Sequence, residues 1–228
     1  MPGIKSFIAA SLWLLIISAD AHSMRCDSIN AEVFTPDKKL SESICVVATQ
    51  TAGFMKKIGF NTTSLLHIKV SQNLESLHFT PVYGLYNGHD NKIEIIDLAS
   101  HLSESHSKKP FGLQMNKELH QSFIAHEISH AYTQANAPSS GISLVAHEYI
   151  AYVVQFSLLS STVRNSILAN YKVAAFEDEN EMSALYLHLN PEYFAVKSWR
   201  HYMSPGNGNS FIKAVVRGEK LKFQPLEE

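Results

Sequence analysis

The chain has 228 residues, 19 Lys and Arg against 21 Asp and Glu, a formal net charge of −2, and 12 His. Scattered, nearly balanced charge excludes the basic face of a nucleic-acid binder and the cationic amphipathic helix of a membrane-surface protein. The length suits one domain able to bury a core of its own.

Residues 1–21 come first in chain order. Lys5, an apolar run from Phe7 to Ala19 and the small-x-small end Ala19-Asp20-Ala21 make the pattern of a secretory signal peptide, cut before His22. The run holds thirteen residues, too few for a membrane span, which needs about 20. An exported protein without a membrane anchor is therefore expected, periplasmic or secreted. Arg25 stands before Cys26 where a lipoprotein would need a small residue. In an oxidising compartment the only two cysteines, Cys26 and Cys45, read as one disulfide that ties the mature amino terminus to the first helix.

Leu40 to Ile58 reads as an amphipathic helix with Ile44, Val47, Ala48, Thr51, Phe54, Met55 and Ile58 inward. Leu65 to Val70 reads as a strand. Val82 to Tyr86 and Lys92 to Leu98 read as a hairpin around Asn87-Gly-His-Asp-Asn91, whose Asn-Gly is a strong turn signal. Ser105 to Pro110 reads as an exposed loop. From Leu113 to Asn136 there is no Gly or Pro, and Phe123, Ile124, Ile128 and Tyr132 recur at helical spacing until Pro138-Ser-Ser-Gly141 ends the run. A second helix is expected from Ile142 to Phe156. The chain then stays helical. Glu177 to Glu181 reads as a solvated helix start rather than a calcium site, Asn190-Pro191 as a break, Glu192 to Met203 as a helix and Ser204 to Asn209 as a loop. Strands followed by helices define an α+β class with a small antiparallel or mixed sheet.

Residues 126–130 read His-Glu-Ile-Ser-His. On a helix, residues i and i+4 stand above one another, so His126 and His130 can reach one metal ion. Glu127 lies about 100° round the helix, beside the metal, where a carboxylate can take a proton from the water that the metal activates. A catalytic zinc needs a third protein ligand and an open position. The downstream helix offers two candidates, Glu148 and His147, which project about 100° apart.

The segment Phe123 to Phe156, with its His-Glu-x-x-His and a glutamate separated from His130 by seventeen residues, resembles the gluzincin zinc metallopeptidases. The whole chain also resembles a small group of exported bacterial proteins with the same two-helix pattern. Kinship implies Zn2+ held by His126, His130 and Glu148, with Glu127 as general base on a peptide or protein substrate. It implies a zincin-like fold over residues 22–228 as one domain, with a mostly helical half bearing the two site helices. It also implies an edge strand that binds extended peptide, for which Ile93 to Asp97 is the candidate, an inner strand being the alternative. Thermolysin-like members carry Asp where this chain has Tyr152. Tyr152 and Gln155 share the Glu148 face, placed to orient its carboxylate. The oxyanion-stabilising His or Tyr of such enzymes comes from downstream, which points to His201 and Tyr202, with Tyr193 behind them. Two other classes stay open: a non-catalytic exported zinc-binding protein of the same fold, and an exported binding module without metal.

Overall fold

Alternating burial, rather than helical periodicity, organises the first part of the chain. The computed structural model describes residues 22–72, 83–104 and 109–222; the expected signal peptide, and Ser105 to Lys108 of the expected loop, lie outside them. Five strands form one mixed sheet: β1 (His22–Cys26), β2 (Ala31–Thr35), β3 (Leu66–Ser71), β4 (Gly84–Asn87) and β5 (Lys92–Ile96), in the order β1-β2-β3-β5-β4. β1 runs antiparallel to β2, β2 and β5 flank β3 in parallel, and β4 returns antiparallel on β5. The inner strands bury one side chain in two: Ala31 and Val33, Ile68 and Val70, Ile93 and Ile95. Such alternation makes one face of a sheet apolar and obliges a helix to cover it.

That helix is α1 (Lys38–Lys57), which crosses from β2 to β3 and packs Ile44, Val47, Ala48 and Met55 into the same core. It starts two residues earlier than its apolar pattern because the Asp37 carboxylate accepts the Lys39 N–H at 2.9 Å. The Cys26–Cys45 disulfide joins β1 to α1 across 19 residues of chain. Closing such a loop contributes about 3 kcal/mol through the unfolded state. Dithiothreitol should therefore lower the urea midpoint of unfolding; an unchanged midpoint would mean that the bond adds nothing.

The expected strand from Leu65 is present one residue further on, at Leu66–Ser71. The hairpin is present as Gly84–Asn87 and Lys92–Ile96, with the expected start at Val82 outside the described residues, while β1 and β2 were not expected. One expectation is corrected. The Ile93 strand is not the edge: β5 pairs with β3 on one side and β4 on the other. Among the described residues the sheet's two edges are β1 and β4.

The helical part comprises α2 (Leu98–Glu104), α3 (Lys117–Asn136), α4 (Leu144–Leu158), α5 (Ser161–Asn170), α6 (Ala184–Leu189), α7 (Pro191–Met203) and α8 (Gly208–Val216). Asn116 caps α3 by accepting the Leu119 N–H at 3.0 Å, and Ser143 caps α4 by accepting the Ala146 N–H at 3.1 Å. Between them, Gly141 supplies the positive φ of 75° that turns the chain. The expected stripe of α3 is inside, but so is the rest of it: from Leu119 to Thr133 only Gln121 is not buried. A helix buried all round brings its polar side chains inside, where they need partners. In the acidic run, Glu181 meets Lys197 at 3.0 Å, while Glu179 meets Lys220 and accepts the Leu221 N–H. Among the described residues no helix is long and apolar enough to cross a membrane.

Candidate metal centre

α3 and α4 pack against each other and bring His126, His130 and Glu148 together. One ligand atom from each lies within 4.8 Å of the others. His126 Nε2 is 3.4 Å from Glu148 Oε2, and His130 Nε2 is 3.5 Å from Glu148 Oε1. These gaps are too long for charge-assisted hydrogen bonds, which close to about 2.7–2.9 Å. Each gap is close to the roughly 3.4 Å between ligand atoms of a tetrahedral zinc held at about 2.0–2.1 Å, though the two gaps run to different oxygens of Glu148 and the group as a whole spans up to 4.8 Å. The donor set, two imidazoles and one carboxylate, also suits that ion. His147, the residue before Glu148 on α4, lines the same cleft. Its ring is 5.8 Å from that of His130, and it is not part of the three-atom group.

Glu127 is buried beside this group, at 8% exposure. Its neighbour across the cleft is β4. A Cβ on Gly84 would lie 2.6 Å from Glu127 Cγ, so glycine lets the strand come this close. Burial pushes the Glu127 carboxyl up to about 7; the His126 ring opposes this, the Glu148 carboxylate adds to it, and the Tyr86 backbone N–H opposes it. For Glu148, burial works upward but the two site imidazoles and His147 outweigh it, holding the carboxyl well below the usual range. His126 is pulled down by burial and raised overall by Glu148; His130 is driven well down, by burial first. In the metal-free site His126 and Glu148 are thus each shifted toward the charged form, and a metal, which needs the imidazole neutral, binds against the His126 shift.

The rise from 4.5 to about 7 at Glu127 corresponds to roughly 3 kcal/mol favouring the protonated acid. Below about 4.5 folded and unfolded chains both hold this proton, and Glu127 has no effect. Between about 4.5 and 7 the unfolded chain ionises while the metal-free fold keeps its proton, so stability falls across that window and stays lowered above 7. Thermal melts of metal-free Glu127→Gln should thus exceed wild type at pH 8 and coincide with it near pH 4. Equal melts at both would show that the carboxyl is not raised.

The cleft in front of the site measures about 590 Å³. Its walls come from β4 (Gly84, Leu85, Tyr86), the start of α4 (Leu144, His147) and the junction of α6 and α7 (Leu187, His188, Pro191). The Tyr86 ring stacks over His130 at 6.4 Å. Gly84, Tyr86 and His188 escaped the sequence reading, because nothing local ties a short strand or an exposed histidine to a site on another helix. The converse correction concerns His201 and Tyr202, neither of which reaches the cleft. His201 is buried against Phe211 and hydrogen-bonds the Tyr149 hydroxyl at 2.8 Å through Nδ1. The Tyr202 hydroxyl donates to Asn209 at 2.7 Å. Tyr193 meets Tyr171 instead. Gln155 also departs from expectation: its partner is His126, not the Glu148 carboxylate. Tyr152 sets its ring edge-on to His126, 4.8 Å away.

The described residues thus form an α+β protein with a candidate His-His-Glu metal centre on the wall of an open cleft. The chain belongs to the family described as "Family of unknown function (DUF6639)", whose model matches residues 31–224. No curated protein and no solved structure matches it.

Proposed function

We propose that the protein is an exported, zinc-dependent peptidase of gluzincin type with a zincin-like fold. The observation that carries this reading is the spacing of 3.4 and 3.5 Å between two imidazole nitrogens and one carboxylate, with a second, raised carboxyl at Glu127 beside them. His126, His130 and Glu148 would hold Zn2+. When bound, the ion supplies Lewis acidity that acidifies water and polarises a peptide carbonyl. Glu127 takes the proton of the attacking water on a carboxylate oxygen and returns it to the leaving amine nitrogen.

The substrate side follows from β4. Ile96 N–H bonds to Tyr83 C=O across the hairpin, and ladder alternation then turns the amides of Gly84 and Tyr86 toward the open edge. Glu127 faces the Tyr86 N–H. The Gly84 N–H and the carbonyls of Gly84 and Tyr86 are left for an extended peptide, added as a further strand. Leu85 and Leu144, 45% and 61% exposed, offer apolar contacts beside it. Export rests on the amino-terminal pattern and accords with the Cys26–Cys45 bond.

A second reading has one observation in its favour. The His147 ring stands 5.8 Å from that of His130, near enough for a small shift to make it a fourth ligand of a non-catalytic zinc. Cleavage of an unfolded protein by the zinc-loaded chain tests the first reading. Activity that a chelator removes and zinc restores supports it; no cleavage by zinc-loaded protein of any extended substrate overturns it.

A further inference from the structure

We infer that Gln155 and Ser122 form a relay that fixes the tautomer and ring plane of His126, so that its Nε2 lone pair faces the metal position. The inference rests on the proposed metal site for its purpose but not for its geometry. The chain of bonds begins at a carbonyl. Leu119 C=O can only accept, so the Ser122 hydroxyl, 2.7 Å away, must donate to it. Its single proton is then spent. Toward Gln155, at 3.1 Å, Ser122 Oγ can therefore only accept, which makes the Gln155 group facing it the NH2. The other end of the amide, the carbonyl oxygen, faces His126 Nδ1 at 3.2 Å. Nδ1 must carry the hydrogen, and in the neutral ring the lone pair falls on Nε2. That is the nitrogen 3.4 Å from Glu148 Oε2.

Each link is enclosed. Gln155 is 0% and Ser122 3% exposed, so flipping the amide would break both bonds where water cannot replace them. Ser122 lies one turn before His126 on α3, and Gln155 lies seven residues beyond Glu148 on α4. One face of α4 thus carries a candidate ligand and the group that aims another. Tyr152, between them, restrains the imidazole by packing alone, edge-on at 4.8 Å. An amide performs this task without adding charge to a pocket that already holds Glu127 and Glu148.

The test compares Gln155→Met, which removes the acceptor and keeps the volume, with Gln155→Glu, which keeps an acceptor. Long-range nitrogen–proton NMR of the metal-free proteins at alkaline pH reads the tautomer directly. Wild type and Gln155→Glu should show His126 protonated on Nδ1, and Gln155→Met should lose that preference. Zinc affinity, from chelator competition, should fall about 10–100-fold in Gln155→Met and stay within about tenfold in Gln155→Glu. If Gln155→Met does not fold, Ser122→Ala frees the amide to flip and should mix the tautomers. Wild-type tautomer and affinity in Gln155→Met, or a wild-type His126 protonated on Nε2, overturns the relay while leaving the metal site standing. A wild type that binds no zinc yet holds His126 as the Nδ1 tautomer sinks the metal site and keeps the relay.

Discussion

Purified from an oxidising compartment without added metal, the wild-type protein should carry about one zinc per chain, and Glu148→Ala far less. The substitution removes the carboxylate whose two oxygens lie 3.4 and 3.5 Å from His126 and His130. Two imidazoles on successive turns remain, and among the described residues no other side chain belongs to the three-atom group. Loss of a ligand should weaken binding beyond the about 10–100-fold that follows loss of an outer partner. Elemental analysis of both proteins, before and after reconstitution, decides the matter. A wild type that takes up no zinc ends the metallopeptidase reading. Equal zinc in both proteins removes Glu148 from the ligand set and gives the place to His147.

The second large effect is expected at Glu127. Glu127→Gln keeps the shape of the side chain and removes the proton acceptor, so turnover should drop by about 10²–10⁴-fold, the usual contribution of a general base. Zinc content should not change, because Glu127 is outside the ligand group. Its position is steric as much as electrostatic: β4 reaches it only because residue 84 has no side chain. Unchanged turnover with zinc retained would assign the ion a structural role. Loss of zinc along with turnover would make Glu127 part of the site's construction and not its base.

Local patterns and non-local pairings were unequally legible. The two helices of the candidate site could be read because i, i+4 spacing is local and because breakers at Pro138 and Gly141 mark the turn between them. The Cys26–Cys45 bond was readable from the count of cysteines. β1 was not, since His22-Ser-Met-Arg-Cys26 has one buried position in five and shows no stripe. Nor could alternation at Ile93 and Ile95 tell an inner strand from an edge, because that depends on the parallel partner β3, more than twenty residues upstream. His201 and Tyr202 failed as site residues for a similar reason. α7 meets α4 through Tyr149, which points about 100° away from Glu148 on the same helix. Order along the chain placed them downstream of the ligand, while helix rotation turned them toward α8.

The depth at which α3 is packed bears on motion. Amides protected on nearly every side open only when the fold itself opens, so α3 from Leu119 to Thr133 should be among the slowest segments in hydrogen exchange. The cleft walls are of another kind. β4 is four residues long and, among the described residues, pairs on one side only, and α6 has six residues, with Leu185 and Leu189 left in solvent. Their amides should exchange orders of magnitude sooner. His126, Glu127 and His130 thus stand on an element expected to open slowly, while the cleft walls can yield to different side chains without disturbing them.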